Sequence, residues 1–151
     1  MAIGKTKADE MVKRANLLSE AVAWFKAFDN PTKTMILDWI RNDQVREQGV
    51  DKFGNVIGYY SRATDSLTNG RKRFNTPYTL LDTGDFYRSM YVSVFLDSIV
   101  IDASSGSFIE MRKQEWYTNA ILGLTNENFE RLKEVVRSKY IDYAREVLQI
   151  N

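Results

Sequence analysis

The triplet Asp82-Thr83-Gly84 is the part of this sequence whose residue types most directly suggest chemistry. A carboxylate held beside a second carboxylate can share one proton with it, and such a pair activates water for hydrolysis. Composition removes most other routes, because the chain has no Cys and no His. Thiol nucleophiles, disulfides, thiolate or imidazole metal sites and histidine-based triads are therefore excluded. Any catalysis would depend on carboxylates, Lys, Tyr or Ser.

The triplet has two interpretations. Asp-Thr-Gly is the form found in aspartic peptidases of the retroviral type, and Ile121-Leu122-Gly123 is similar to the apolar-apolar-Gly segment that braces their catalytic loop. Those enzymes are almost entirely β, whereas here the triplet leads into Asp85-Phe86-Tyr87-Arg88-Ser89 and helical patterns surround it. The second interpretation is a helix start, with Asp82 as the N-cap and Asp85 in the amide-rich first turn. We favour this structural cap and keep a small aspartic peptidase using Asp82 as the alternative.

Arg71-Lys72-Arg73, with Arg62 upstream, is the one basic cluster of the sequence. Adjacent cationic side chains can contact phosphates, and the nearby rings of Phe74 and Tyr78 could stack on bases. A solvated face is the more common meaning of such a run. We therefore predict an exposed basic loop over residues 62–75, and keep a DNA-contacting accessory protein as a further alternative.

Charge is segregated along the chain although it nearly cancels overall, at 21 basic and 20 acidic residues. Residues 62–73 carry a net +3, whereas residues 82–110 carry a net −4. Separate positive and negative surfaces suit a protein that stacks head-to-tail with copies of itself. The interface candidates are Arg62, Arg71, Lys72, Arg73, Phe74, Tyr78, Asp85, Asp97 and Asp102.

Two helices are predicted before these segments. Apolar residues in the first, over residues 7–28, recur at spacings of three and four, which places them on one stripe. Asn30 and Pro31 then suit a helix N-cap and first position. The second helix, over residues 32–47, is expected to end before Gly49, which has the character of a C-cap glycine.

A small antiparallel sheet is predicted within residues 56–102. Residues 56–60 are a short β-prone run, and residues 90–96 alternate between apolar and more polar positions. Asp97-Ser98 separates that run from residues 99–102, which predicts a hairpin.

A long amphipathic helix is predicted at the end of the chain. Thr125 is a good N-cap, Glu127 adds a favourable first-turn charge, and an apolar stripe runs for about six turns. The whole sequence, residues 1–151, is therefore expected to form a single α+β domain: two N-terminal helices, a small antiparallel sheet with a hairpin, and this helix. No apolar run reaches transmembrane length, so no membrane partner is expected.

Three blocks, in this order, resemble small virion proteins of tailed bacteriophages, especially crAss-like and other Bacteroidetes phages. Residues 49–61 match the pattern Gly-x-Asp-x-x-Gly-x-x-Ile-Gly-x-Tyr-Ser. Residues 78–89 are similar to the next block, in which Asp-Thr-Gly opens a short helix that ends in Ser, with Phe86 here in place of Leu. Ile121-Leu122-Gly123-Leu124-Thr125 before the last helix is similar as well.

The resemblance implies a head-to-tail connector, ring or tail-completion protein of the phage neck. Its implied partners are further copies of itself in a 12-fold or 6-fold ring, the portal, other neck or tail proteins, and packaged DNA passing through the lumen. It implies a place in the virion after synthesis in the host bacterial cytoplasm. It carries over no catalytic residue, cofactor or metal, so we expect a structural protein rather than an enzyme.

Overall fold

The structure, a computed structural model, describes residues 6–150. The helices and strands of this part of the chain are α1 Lys7–Ala15, α2 Glu20–Ala27, α3 Asn30–Asp38, a π-helical segment Trp39–Gln48, α4 Arg62–Leu67, α5 Asp85–Ser89, β1 Met90–Val94, β2 Ile99–Ala103, α6 Gly106–Met111, a 3-10 turn Asn119–Leu122 and α7 Asn126–Leu148. The predicted α+β class is confirmed, with helices dominant and a two-stranded antiparallel sheet.

The first predicted helix is in fact two helices, α1 and α2. Thr6 caps α1 through a capping box with Asp9, and the chain leaves the helix after Ala15. Ser19 then takes an extended conformation, and its hydroxyl accepts a hydrogen bond from the Val22 amide to start α2. The apolar spacing therefore predicted neither the break nor the buried face. Met11, Leu18, Val22 and Phe25 of the predicted stripe are exposed, whereas α2 buries Ala23 and Ala27.

The second predicted helix begins two residues earlier than expected. Asp29, rather than Asn30, is the N-cap of α3, because its carboxylate accepts from the Thr32 amide, and Pro31 occupies the second helical position. The helix continues into the π-helical segment and ends, as predicted, at Gly49. Gly49 has φ +65°, and a Cβ there would lie 2.5 Å from Cβ of Pro77, so only glycine fits.

Residues 49–84 form loops around the short helix α4. The predicted β-run at residues 56–60 is not a strand of the sheet; single antiparallel bridges pair Val50 with Val56 and Tyr59 with Pro77. The predicted exposed loop over residues 62–75 begins instead with α4, which Ser61 caps through the Thr64 amide. This corrects the loop prediction, because a favourable Ser N-cap outweighs the polar composition of the segment.

The predicted hairpin is confirmed, with Met90 facing Ala103 and Val94 facing Ile99. Met90 and Val92 point into the core, whereas the strand ends before Leu96, which is exposed. The core lies between this hairpin, α3 and its π-helical continuation, and the first half of α7. Its most deeply buried apolar side chains include Ile36, Ile40, Val45, Phe108 and Ile121.

Helix α7 begins at the predicted cap, since the Thr125 hydroxyl accepts from the Asn128 amide. The buried Gln44 secures this end. Its amide nitrogen donates to the carbonyl of Gly123, and its oxygen accepts from the Thr125 amide and from the side-chain amide of Asn128. A polar side chain from the π-helical segment thus fixes the chain entry into the longest helix.

Candidate interaction surfaces

A cleft of about 250 Å³ lies where the loops of residues 49–84 meet α4, α6 and the segment after it. We call it the aromatic cleft, and it is lined by Tyr60, Thr64, Lys72, Tyr78, Leu80, Asp82, Met111 and Trp116. Three rings form its wall, with centroids 4.9 Å apart for Tyr60 and Tyr78 and 5.2 Å apart for Tyr78 and Trp116. Tilted contacts at these separations are favourable beyond the area they bury.

Hydrogen bonds and a glycine hold this wall in place. The Thr79 amide donates to the Tyr60 hydroxyl at 2.9 Å, and the Tyr87 hydroxyl donates to the Thr79 carbonyl. Burial raises the pKa of Tyr87 above its ordinary value, so this hydroxyl remains a donor. A Cβ at Gly58 would lie 2.4 Å from the Tyr78 ring, so the close approach of that ring requires glycine.

The predicted basic residues do not form one free cationic patch. Lys72 lines the cleft, where its Nζ lies 3.9 Å from the Asp82 carboxylate and 5.8 Å from the Tyr60 ring centroid. Arg62 stacks 4.5 Å from the ring centroid of Phe74. Arg71 and Arg73, which follow α4, are exposed. The structure therefore brings together Lys72, Tyr78 and Asp82 of the predicted residues.

The cap prediction for Asp82 is wrong. Gly84, with φ +86°, is the N-cap residue of α5 and makes no side-chain hydrogen bond, while the Asp82 side chain is 76% exposed. The Asp85 prediction holds, because its carboxylate lies in the first turn of α5. Hydrogen bonds from Thr83 and Arg88 lower the pKa of Asp85.

The acidic candidates are dispersed. Asp97 is exposed at the tip of the β1–β2 hairpin. Asp102 lies on β2, half-buried in a recess that Arg112 also lines. Because Lys72 and Asp82 are close neighbours, the positive and negative segments of the sequence meet at the aromatic cleft rather than occupying fully separate surfaces.

A second concavity of about 490 Å³ is wholly different in character. We call it the apolar groove; α2, the start of β2 and α7 form it, and its lining is Trp24, Phe28, Ile99, Phe129, Leu132, Lys133, Val136, Arg137 and Tyr140. Phe129 remains 48% exposed there. The Trp24 indole donates to the carbonyl of Phe95, which ties α2 to the hairpin tip beside the groove.

Most residues that line the two concavities were not predicted from the sequence. Tyr60, Met111 and Trp116 come from three distant segments, and no local spacing links them. The apolar groove had a usable signal in the sequence, because the aromatic residues Trp24 and Phe28 lie close together there and both line the groove.

Within residues 6–150, no group of three or more acidic side chains is arranged to hold a metal ion. No helix in that part of the chain is both long and apolar enough to cross a membrane. Comparisons with known protein families, with curated proteins and with solved structures find no match to this chain.

Proposed function

We propose that this chain is a structural virion protein that assembles into a ring in the neck of a tailed bacteriophage, between portal and tail. The observation that carries the oligomeric part of the proposal is the open apolar groove with the hairpin tip beside it. Phe95, Leu96 and Phe129 are 52%, 68% and 48% exposed there. Apolar surface of this kind is typical of protein–protein contact sites.

The sequence blocks at residues 49–61, 78–89 and 121–125 support the phage assignment by their resemblance to neck proteins. Their positions in the fold agree with a structural role. The first two blocks supply Gly58, Tyr60 and Tyr78 of the aromatic cleft, and the third contains the Gly123 carbonyl and the Thr125 cap that Gln44 holds. The blocks thus contribute to packing and to a surface cleft.

An aspartic peptidase that uses Asp82 remains an alternative function. Its active site would need a second carboxylate beside Asp82, whereas the ion pair that the Asp82 carboxylate makes in the described part of the chain is with the Lys72 ammonium. A peptide-cleavage assay at mildly acidic pH tests this alternative, because activity that is lost in Asp82→Asn would overturn the structural proposal.

The DNA-contacting alternative rests on Arg71 and Arg73, which are exposed. Replacing both by Glu separates it from a role in assembly. If the segment contacts DNA, rings stay intact while DNA retention becomes weaker and less dependent on salt. If it contacts a neighbouring subunit, assembly itself is impaired and the subunit stays folded.

Native mass spectrometry of the purified chain, together with analysis of purified virions, tests the ring directly. We expect a closed oligomer of defined size and a fixed copy number per virion. Phe129→Asp should dissociate that oligomer if the apolar groove is an interface, with unchanged circular dichroism; Ser138→Asp, on an exposed position of the same helix, is the matched control. A wild-type chain that stays monomeric and is missing from virions would contradict the proposal.

A further inference from the structure

The geometry points to a specific contact between neighbouring copies, an inference that rests on the proposed ring. We propose that the hairpin tip, residues 95–98, of one copy inserts Leu96 into the aromatic cleft of the next copy. Asp97 then faces Arg71 and Arg73, the exposed residues on either side of the cleft residue Lys72 in the sequence.

The hairpin tip has the form of a binding knob. Turns are usually built from Gly, Pro, Asn, Asp and Ser, yet here Phe95 and Leu96 directly precede Asp97-Ser98 and are 52% and 68% exposed. The tip is also held in one shape. The Phe95 amide donates to the Ser98 carbonyl at 2.8 Å, and the Phe95 carbonyl accepts from the indole of Trp24. A pre-organised apolar knob loses little entropy on binding.

The aromatic cleft has the form of the matching hole. Its volume of about 250 Å³ exceeds the roughly 150 Å³ that holds a benzene-sized molecule, so one Leu side chain fits. Its walls are the rings of Tyr60, Tyr78 and Trp116, of the residue types most common at interface hot spots. The Thr79 amide holds the Tyr60 hydroxyl and Gly58 admits the Tyr78 ring, on which Trp116 packs, so the wall of the cleft is positioned before an occupant arrives.

Charge favours this pairing. The hairpin, residues 90–103, carries Asp97 and Asp102 and no basic residue, whereas residues 62–73 carry a net +3. Asp82 lies on the cleft edge but has Lys72 beside it, and Asp65 accepts a hydrogen bond from the Phe74 amide. Lys72 is paired with Asp82 and Arg62 stacks on Phe74, so Arg71 and Arg73 are the exposed cations of residues 62–73 that could meet Asp97. Contacts of this type set the register and rate of association.

The contact is heterologous, because the tip and the cleft are different parts of one subunit. Each copy offers one knob and one hole, so every added copy presents a new free knob or hole until rotation closes the ring. A two-fold dimer made by the same pair of surfaces would instead use both contacts at once and stop at two copies.

Disulfide trapping tests the contact without background, since the chain has no Cys. Leu96→Cys combined with Met111→Cys places one thiol on the knob and one in the cleft. Under mild oxidation we expect a ladder of covalent oligomers up to the ring size. Each single variant, and Leu96→Cys paired with Ser138→Cys on the exposed face of α7, should give no such ladder.

A charge exchange provides an independent readout. Asp97→Arg should weaken subunit association about tenfold, and adding Arg71→Asp with Arg73→Asp should restore most of the loss. Leu96→Ala should cost about tenfold or more, because it removes the side chain that fills the cleft.

The outcomes separate this inference from the proposed function. If the ring forms normally but the Leu96/Met111 cysteine pair gives no ladder, the knob-in-cleft contact is wrong and the ring proposal is unaffected. The same holds if Leu96→Ala leaves ring assembly unchanged. A ladder that stops at the dimer overturns the head-to-tail arrangement. A wild-type chain that is monomeric at all concentrations overturns both.

Discussion

The stretch of residues 7–28 and the helix α7 carry the same three-and-four spacing of apolar residues, but only α7 is continuous. In the N-terminal stretch, Ser19 lies in the middle of the pattern and caps a new helix by accepting from the Val22 amide. In α7 the cap residue, Thr125, stands at the start, and 23 helical residues follow. The apolar stripe of α7 includes the buried Leu132 and Tyr143, whereas Leu18 and Val22 of the N-terminal stripe are exposed. Periodicity alone therefore does not specify the buried face, and hydrogen bonds at particular residues decide where a helix begins and breaks.

Contacts with the rest of the molecule reinforce this difference. The entry to α7 is held by Gln44, and its middle by an ion pair from Lys139 to the Asp29 carboxylate at 2.7 Å. Farther along, the Tyr143 hydroxyl accepts from the Ser19 amide, at the break between α1 and α2. Helix α1, by contrast, has no buried residue. Helix α7 thus supports α1 and α2, and the break between them lies where Tyr143 of α7 accepts a hydrogen bond.

The largest effect is expected from Gln44→Ala, which attacks the anchored start of α7. The change leaves a carbonyl, an amide and a side-chain amide without their buried partner, and each such group costs about 1–3 kcal/mol. We expect the free energy of unfolding to fall by about 3 kcal/mol in urea denaturation. Gln48→Ala, at an exposed position of the same π-helical segment, is the control, and equal midpoints for the two variants would contradict this role.

Thr125→Ala tests the cap that sequence alone predicts. Loss of the hydroxyl that accepts from the Asn128 amide should lower the free energy of unfolding by about 1 kcal/mol. Thr125→Ser keeps the acceptor and should retain most of the stability. If both variants lose the same amount, methyl packing and not capping is the source of the effect.

The Asp29–Lys139 pair predicts a specific pH dependence. The Lys139 ammonium, together with the Thr32 amide, lowers the pKa of Asp29 from 3.8 to about 2. Because the folded-state pKa is depressed, its stabilisation is present above pH 4 and is lost as pH falls toward 2. The side chain is 36% exposed, so solvent screening reduces the full linkage to roughly 1 kcal/mol.

Asp29→Asn keeps an N-cap and removes the charge, so it should be less stable than the wild type by roughly 1 kcal/mol at pH 7, and the difference should shrink as pH falls through about 2. Chemical denaturation at several pH values measures this convergence. Asp38→Asn, on an exposed position of α3, should run parallel to the wild type. A constant gap for Asp29→Asn at every pH would show that capping geometry, and not the ion pair, is responsible.

The smallest effect is expected for Asp82→Asn, the cap that sequence suggested and the structure does not contain. Its carboxylate is mostly exposed and lies 3.9 Å from Lys72, so the free energy of unfolding should change by less than about 0.5 kcal/mol. Asp82→Ala, which cannot cap, should change the free energy of unfolding equally little. A loss in that variant as large as that of Thr125→Ala would mean that Asp82 does cap α5 in solution.

Features that a few neighbouring residues specify can be predicted without the structure. Thr125 and the apolar stripe after it define α7, and Gly49 marks the end of the second helical stretch. Alternation before Asp97-Ser98 and a short apolar run after it define the hairpin. In each case the deciding interactions join residues within about four positions of one another, or follow from a repeat along one element, so they can be read without knowing the fold.

Where several residues could begin a helix with similar energy, long-range packing selects the one that does. Ser19, Asp29 and Asn30 can all cap a helix, and Gly84 starts α5 although Asp82 had the better side chain for the task. The aromatic cleft depends even more on long-range packing, because Tyr60 and Trp116, which are far apart in the sequence, both line it. Lys72 likewise finds Asp82 only after folding. Such contacts form only when many distant segments pack together, so no pattern of neighbouring residues predicts them.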